Sequence, residues 1–203
     1  MTIDDKDLLN SIIASLYRVN HIQPESIPDI DLYMDQVTTF MENNLAPSKR
    51  YPEDKVLTKT MINNYTKDGL LPPPNKKKYS KEHMLLLIFI YYFKNLLCIN
   101  DLHHILDPLA KKYFSNEDDL NLTDIYNEVF SLEKDEVQYL AKDITKKFNR
   151  SKETFLDAPE EDREGLQTFS LICMLSFDTY LKKMLIEKLI DLERAKHTDS
   201  DQS

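Results

Sequence analysis

Glycine occurs only twice in these 203 residues, at Gly69 and Gly165. Loops that cradle phosphates or dinucleotides need glycine where the backbone approaches the ligand closely or adopts a positive φ. Because the two glycines are far apart, neither a P-loop nor a G-x-G-x-x-G motif can be written anywhere in the chain. The frequent Leu, Ile, Met, Lys and Glu favour helices instead, and we expect an all-α protein.

The apolar runs predict a cytoplasmic protein without membrane contact. The longest run, Met84 to Phe93, covers ten residues, whereas a membrane-spanning helix takes about 20. The segment from Met1 to Asp7 lacks the basic start of a signal peptide. Cys98 and Cys173 lie inside apolar runs and form no C-x-x-C motif, so we interpret them as small buried hydrophobic residues in a reducing compartment.

Charge is distributed unevenly along the chain. Residues 46–82 hold eight lysines and Arg50 against four carboxylates, a net charge of +5, although the whole chain carries −9. The remaining residues therefore carry −14. A basic segment in an acidic chain is typical of a localised surface that faces phosphates, although a loop-rich stretch could also collect lysines by chance.

Apolar spacing and capping residues predict five helices in the first 112 residues. Thr58 is the expected N-cap of the third helix, and Gly69 is the expected left-handed residue that ends it. Ser80 is the expected N-cap of a buried central helix, and Pro108 should end the helix that follows. The predicted helices cover 8–19, from Asp29 or Asp31 to about Leu45, 59–68, 81–97, and from Asn100 or Asp101 to about Asp107.

The C-terminal half has a different pattern. Residues 115–119 read as an acidic linker, followed by helices over 123–130 and 133–148. A break at 157–162 precedes one long helix, 164–194, which would be roughly 45 Å long. Such a helix needs cover on several sides, from its own domain or from a second subunit. Residues 196–203 are predicted to be a disordered tail.

The chemistry that stands out is a short polar helix followed by a lysine-rich turn. Positions 60, 63, 64 and 67 share one helical face, and asparagine amides can bond adenine bidentately while lysine reaches guanine or phosphate. A solvated helix face is the alternative interpretation. The candidate DNA-binding residues are Lys59, Thr60, Asn63, Asn64, Lys67, Lys76, Lys77, Lys78 and Tyr79.

The residues from Leu57 to Pro72 resemble the recognition helix and the start of the wing in MerR-type regulators. Tyr79-Ser80 matches the Tyr-Ser that ends that wing, and Ile99 to Leu106 resembles the helix that closes the domain. More closely, residues 25–110 are similar to a bacterial family known as domain of unknown function 1836. The resemblance implies a winged helix-turn-helix domain in a transcriptional regulator.

These observations predict a DNA-binding regulator that works as a homodimer on double-stranded DNA. The alternative is a non-enzymatic module that uses the winged helix to bind a protein. His103 and Asp107 stand four residues apart but lack a third metal ligand, and His83 beside Glu82 reads as a surface pair. We expect no catalysis, cofactor or metal, and the sequence does not identify a small-molecule effector. The expected segments are an N-terminal helix at 1–24, the winged domain at 25–112, a helical dimerisation or effector region at 113–195 and a tail at 196–203.

Overall fold

A computed structural model describes residues 5–17, 21–114 and 120–200. Helices dominate these ranges, which confirms the all-α prediction, whereas the winged helix-turn-helix assignment stays a prediction. The acidic linker predicted at 115–119 lies outside the described residues. The helices are α1 (Asp5–Leu16), α2 (Met34–Leu45), α3 (Lys59–Asp68), α4 (Lys81–Phe93), α5 (Ile99–Tyr113), α6 (Leu122–Ser131), α7 (Glu133–Lys152) and α8 (Glu160–Ser200), and the strands are β1 (Leu32–Tyr33) and β2 (Lys78–Tyr79).

The described residues form two compact units. The first unit contains residues 5–17 and 132–189, and the second contains residues 21–114, 120–131 and 190–200. The predicted segments 1–24, 25–112 and 113–195 divide the chain differently. The difference arises because α6 packs against α4 and α5, contacts that apolar periodicity along the chain does not reveal.

The second unit is built around α4. Every residue from His83 to Ile90 is buried, as the apolar run predicts for a helix that is covered on all sides. Helices α5 and α6 and strand β2 pack against it. The helix ends at Phe93 rather than at the predicted Leu97, and Leu97 is nevertheless buried in the same core.

Pro108 lies inside α5, so the prediction that a helix ends before this proline is wrong. Proline removes one backbone donor and crowds the preceding turn. The helix continues because Leu109, Ala110 and Tyr113, all beyond the proline, pack against the core of the second unit. Packing outweighs the local penalty here.

Helix α2 starts later than the sequence predicts because the chain before it forms a strand. Leu32 pairs with Tyr79 and Tyr33 with Lys78 in an antiparallel two-stranded ribbon. Tyr33, rather than Asp29 or Asp31, is the N-cap, and its backbone N–H donates to Oε1 of Gln36 at 2.8 Å.

The first unit contains α1, α7 and residues 160–189 of α8. Helix α1 packs against α7, and Gln167 of α8 donates to the carbonyl oxygens of Lys152 and Thr154 at 2.9 and 3.1 Å. Helix α8 begins four residues earlier than predicted and extends to Ser200. The disordered tail at 196–203 stays a prediction, and residues 201–203 lie outside the described residues.

Two further expectations concern exposure to membrane and solvent. Within the part of the chain that the structure describes, no helix combines the length and the apolar character needed to span a membrane.

Cys98 is exposed at the N-cap of α5 and Cys173 is half-buried. The prediction of buried thiols is therefore wrong for Cys98, because the chain leaves the core at the turn between α4 and α5.

Candidate nucleic-acid interface

Helix α3 is fixed at both ends by the residues that the sequence indicates. The side-chain oxygen of Thr58 accepts a hydrogen bond from the backbone N–H of Met61 at 3.1 Å. Gly69 adopts φ 85° and its N–H donates to the carbonyl oxygen of Thr66. A left-handed residue at this position ends a helix without steric cost only when it lacks Cβ.

One face of α3 is anchored and the opposite face is open to solvent. Ile62 is fully buried and Tyr65 packs against the core of the second unit. The five candidate contact residues on α3 are all exposed; they are Lys59, Thr60, Asn63, Asn64 and Lys67. Helical geometry therefore presents two amides and a terminal lysine together on one free surface.

Lys59 differs from the other candidates because it already has a partner. Its ammonium group forms a salt bridge with Asp35 of α2, and both side chains are largely exposed. A phosphate that approached Lys59 would compete with this carboxylate. The pair also joins the first turn of α3 to α2.

The lysine-rich turn between Asn75 and Lys78 is a tight hairpin. The backbone N–H of Lys78 donates to the carbonyl oxygen of Asn75 at 2.9 Å. Lys76 and Lys77 adopt φ values of 49° and 65°, the pattern of a type I′ turn, for which asparagine and glycine are the preferred residues. Two lysines thus occupy a strained backbone, and both side chains are exposed at the tip.

The ribbon below this tip holds the turn against the rest of the second unit. The ammonium group of Lys78 lies over the ring of Tyr33, 5.3 Å from its centroid, which is a cation–π contact across the two strands. Lys78 is therefore half-buried rather than free, and Lys76 and Lys77 are the more accessible cations of the turn.

Tyr79 is a core residue rather than part of the open surface. Its side chain is 3% exposed, and its hydroxyl is hydrogen-bonded to Thr66 of α3. Burial raises the pKa of this phenol above its ordinary value, and the Thr66 hydrogen bond partly opposes the rise. The residue connects β2 to α3, so it positions the predicted contact surfaces without being able to reach a phosphate.

His83 is buried, so the prediction of a surface pair with Glu82 is wrong. The backbone N–H of Ser80 donates to its Nδ1 atom at 3.0 Å, and the imidazole stands edge-on to Phe114 with centroids 4.6 Å apart. The ring thus takes the place that glutamate or glutamine has in a capping box. Burial lowers the pKa of His83. The sequence signal that could have indicated this contact was the N-cap Ser80 with His83 three residues after it.

The C-terminal end of α3 is tied to α5 by a histidine between two carboxylates. Nε2 of His103 lies 2.8 Å from Oδ2 of Asp68, and Nδ1 lies 3.0 Å from Oδ1 of Asp107. The sequence shows the contact with Asp107 as a spacing of four but gives no sign of Asp68. Within residues 5–17, 21–114 and 120–200, no group of three or more His, Cys, Asp or Glu side chains could hold a metal ion.

Comparison with known proteins identifies a family but no characterised relative. The family model described as "Domain of unknown function (DUF1836)" matches residues 22–129. Comparison with curated proteins gives no significant match, and comparison with solved structures gives none either. The matched range contains α2 to α5, the ribbon and most of α6.

Proposed function

The chain belongs to the DUF1836 family, and we propose that its second unit binds double-stranded DNA as part of a bacterial, cytoplasmic transcription regulator. In this proposal the exposed face of α3 enters the major groove and the turn at residues 75–78 contacts flanking phosphates. Helix α2 braces α3, and the β1–β2 ribbon serves as the wing of a winged helix-turn-helix.

The observation that carries the proposal is the backbone of Lys76 and Lys77. Both residues hold positive φ values at the tip of a hairpin, where asparagine and glycine would fit with less strain. Such strain costs on the order of 1 kcal/mol or more per residue. Phosphate binding would explain why lysines occupy this strained turn, because the turn places their two ammonium groups where phosphates can approach.

The chemistry of α3 supports the same use. Asn63 and Asn64 can donate and accept hydrogen bonds on base edges, and Lys67 adds a cation in the last turn. The surrounding residues 46–82 carry a net charge of +5. Phosphates supply most of the affinity in such an interface, and base contacts supply the specificity.

The first experiment is a fluorescence-polarisation titration of the full chain against a labelled duplex from its own upstream region. An unlabelled random duplex serves as competitor, and the titration is repeated over a range of salt concentrations. The test variant combines Lys76→Asn with Lys77→Gly, which removes both charges while keeping residues that suit the turn. The control combines Lys111→Gln with Lys112→Gln, which removes two exposed charges from α5.

We expect saturable binding that exceeds binding to random duplex. The turn variant should bind roughly tenfold more weakly at low salt, and the slope of log K against log salt should fall by about 1.8, the value for two lost phosphate contacts. The control should bind like the unmodified chain. Absence of binding at low salt, or equal loss in both variants, would contradict the proposal and favour the alternative, a helical module that binds a protein through this surface.

A further inference from the structure

Helix α8 carries a broad apolar face that nothing in the first unit covers. Phe169, Ile172, Phe177, Tyr180 and Met184 are each between 47% and 68% exposed. At 3.6 residues per turn these five positions fall within an arc of about 140°. Protein surfaces rarely leave a contiguous apolar area of this kind open unless something binds there.

Between residues 167 and 178 the opposite side of the same helix is occupied, whereas further along that side Leu181, Leu185 and Leu189 are exposed. Gln167 and Leu171 are buried, and Asp178 accepts a hydrogen bond from Lys147 of α7 at 3.0 Å. These three residues centre on a direction about 180° from the apolar face. Residues 167–178 therefore pack on the first unit with one side of the helix, and the apolar face on the other side is open to another molecule.

We propose that this face binds the same face of a second copy of the chain, with the two α8 helices antiparallel. The inference does not depend on DNA binding, because it uses only the first unit and concerns protein self-association. The charges of the segments at the two ends of this face favour a second copy of the chain as the molecule that binds there.

Those charges are opposite in sign. The segment 160–164 holds Glu160, Glu161, Asp162 and Glu164 against Arg163, whereas the segment 180–189 holds Lys182, Lys183 and Lys188 against Glu187. A parallel pair would place like ends together. An antiparallel pair places the acidic start of each helix beside the lysines of the other, and the midpoint between 161 and 185 falls at Cys173.

Small side chains lie where the two helices would approach most closely. Around Gly165 the space that a Cβ would occupy has no heavy atom within 4 Å. Ser176 is exposed on the same face, and Cys173 at the midpoint is half-buried. Small residues between large ones let the rings of one helix pack into the gaps of the other.

The first test measures the molar mass of the full chain by light scattering and sedimentation over a range of concentrations. We expect a dimer of the 23.9 kDa chain. Tyr180→Glu should raise the dissociation constant of the dimer at least tenfold, with helix content unchanged by circular dichroism. Tyr139→Glu is the matched control, because Tyr139 on α7 is 64% exposed and Tyr180 is 66% exposed, and it should leave the dimer intact.

A second measurement tests the orientation. In a chain with Cys98→Ser and Cys173→Ser, a spin label at Glu161→Cys should lie about 36 Å from its copy in an antiparallel pair, but about 10 Å away in a parallel one. Combining Lys183→Glu with Lys188→Glu should weaken self-association, and mixing with a Glu161→Lys, Asp162→Lys chain should restore pairing.

A monomer at 100 µM, equal weakening by Tyr139→Glu and Tyr180→Glu, or a short distance between labels at position 161 would each overturn the proposal. A monomer that still binds its duplex would leave the DNA-binding proposal standing. A dimer that binds no DNA would support this inference alone.

Discussion

Nε2 of His103 lies 2.8 Å from Oδ2 of Asp68, so an ion pair joins the last residue of α3 to α5 across 35 positions of sequence. The contact fixes the end of the helix that carries the predicted base-contacting residues. Asp68 is the largest cause of a raised pKa at His103, Asp107 also raises it, and desolvation opposes both. This histidine should therefore carry a proton at higher pH than an isolated imidazole does.

The first prediction concerns stability against pH. Because folding raises the pKa of His103, its ion pairs stabilise the folded state fully below a pH of about 6.5. This contribution is lost as the pH rises through the raised pKa. Asp68→Asn should therefore lower the free energy of unfolding by about 0.5 kcal/mol at pH 6, since the carboxylate is half exposed, and by less at pH 8.5. Urea denaturation at each pH measures this, with Asp107→Asn as the comparison. A difference that grows above pH 8 would contradict the assignment.

His83 should show the opposite pH dependence. Burial lowers its pKa, so the folded protein resists protonating this ring while the unfolded chain accepts a proton near pH 6.5. The corresponding stability is present above pH 6.5 and declines as pH falls towards the lowered pKa. In His83→Gln, which keeps an acceptor for the N–H of Ser80, the dependence between pH 6.5 and 5 should be shallower than in the unmodified chain. Identical slopes would show that His83 does not titrate as its burial requires.

Relieving the strained turn should stabilise the fold. Lys76→Asn with Lys77→Gly places residues that favour positive φ at both positions, so we expect the free energy of unfolding to increase by about 1 kcal/mol. Chemical denaturation measures this. The matched change, Lys111→Asn with Lys112→Gly near the end of α5, should destabilise the protein because both residues are poorer helix formers than lysine. If the turn variant is the less stable of the two, the strain argument fails.

Tyr79→Phe separates a positioning role from direct DNA contact. Loss of the hydroxyl should lower the free energy of unfolding by about 1 kcal/mol, since a hydrogen bond to Thr66 is removed. The salt dependence of duplex binding should not change. Tyr33 contacts Lys78 and is exposed. Tyr33→Phe should therefore leave the free energy of unfolding nearly unchanged. Weaker duplex binding by a Tyr79→Phe protein of normal stability would instead place the hydroxyl at the interface.

Much of the second unit could be predicted from local chemistry. Thr58 and Gly69 mark the two ends of α3, and the run from Met84 to Ile90 identifies the buried helix. These signals work because capping and left-handed φ depend on residues only a few positions apart. The exposure of Asn63, Asn64 and Lys67 also follows from helical periodicity once Ile62 is placed in the core.

Tertiary contacts decided the rest. Local patterns alone predict the bounds of α3 and the start of α4, because periodicity and caps act within one or two helical turns. Contacts between distant residues explain why Pro108 stays helical, why Tyr79 and His83 are buried and why His103 contacts Asp68. Each of these outcomes depends on burial or charge pairing between residues distant in the chain, and such energies outweigh local preference without leaving a local pattern.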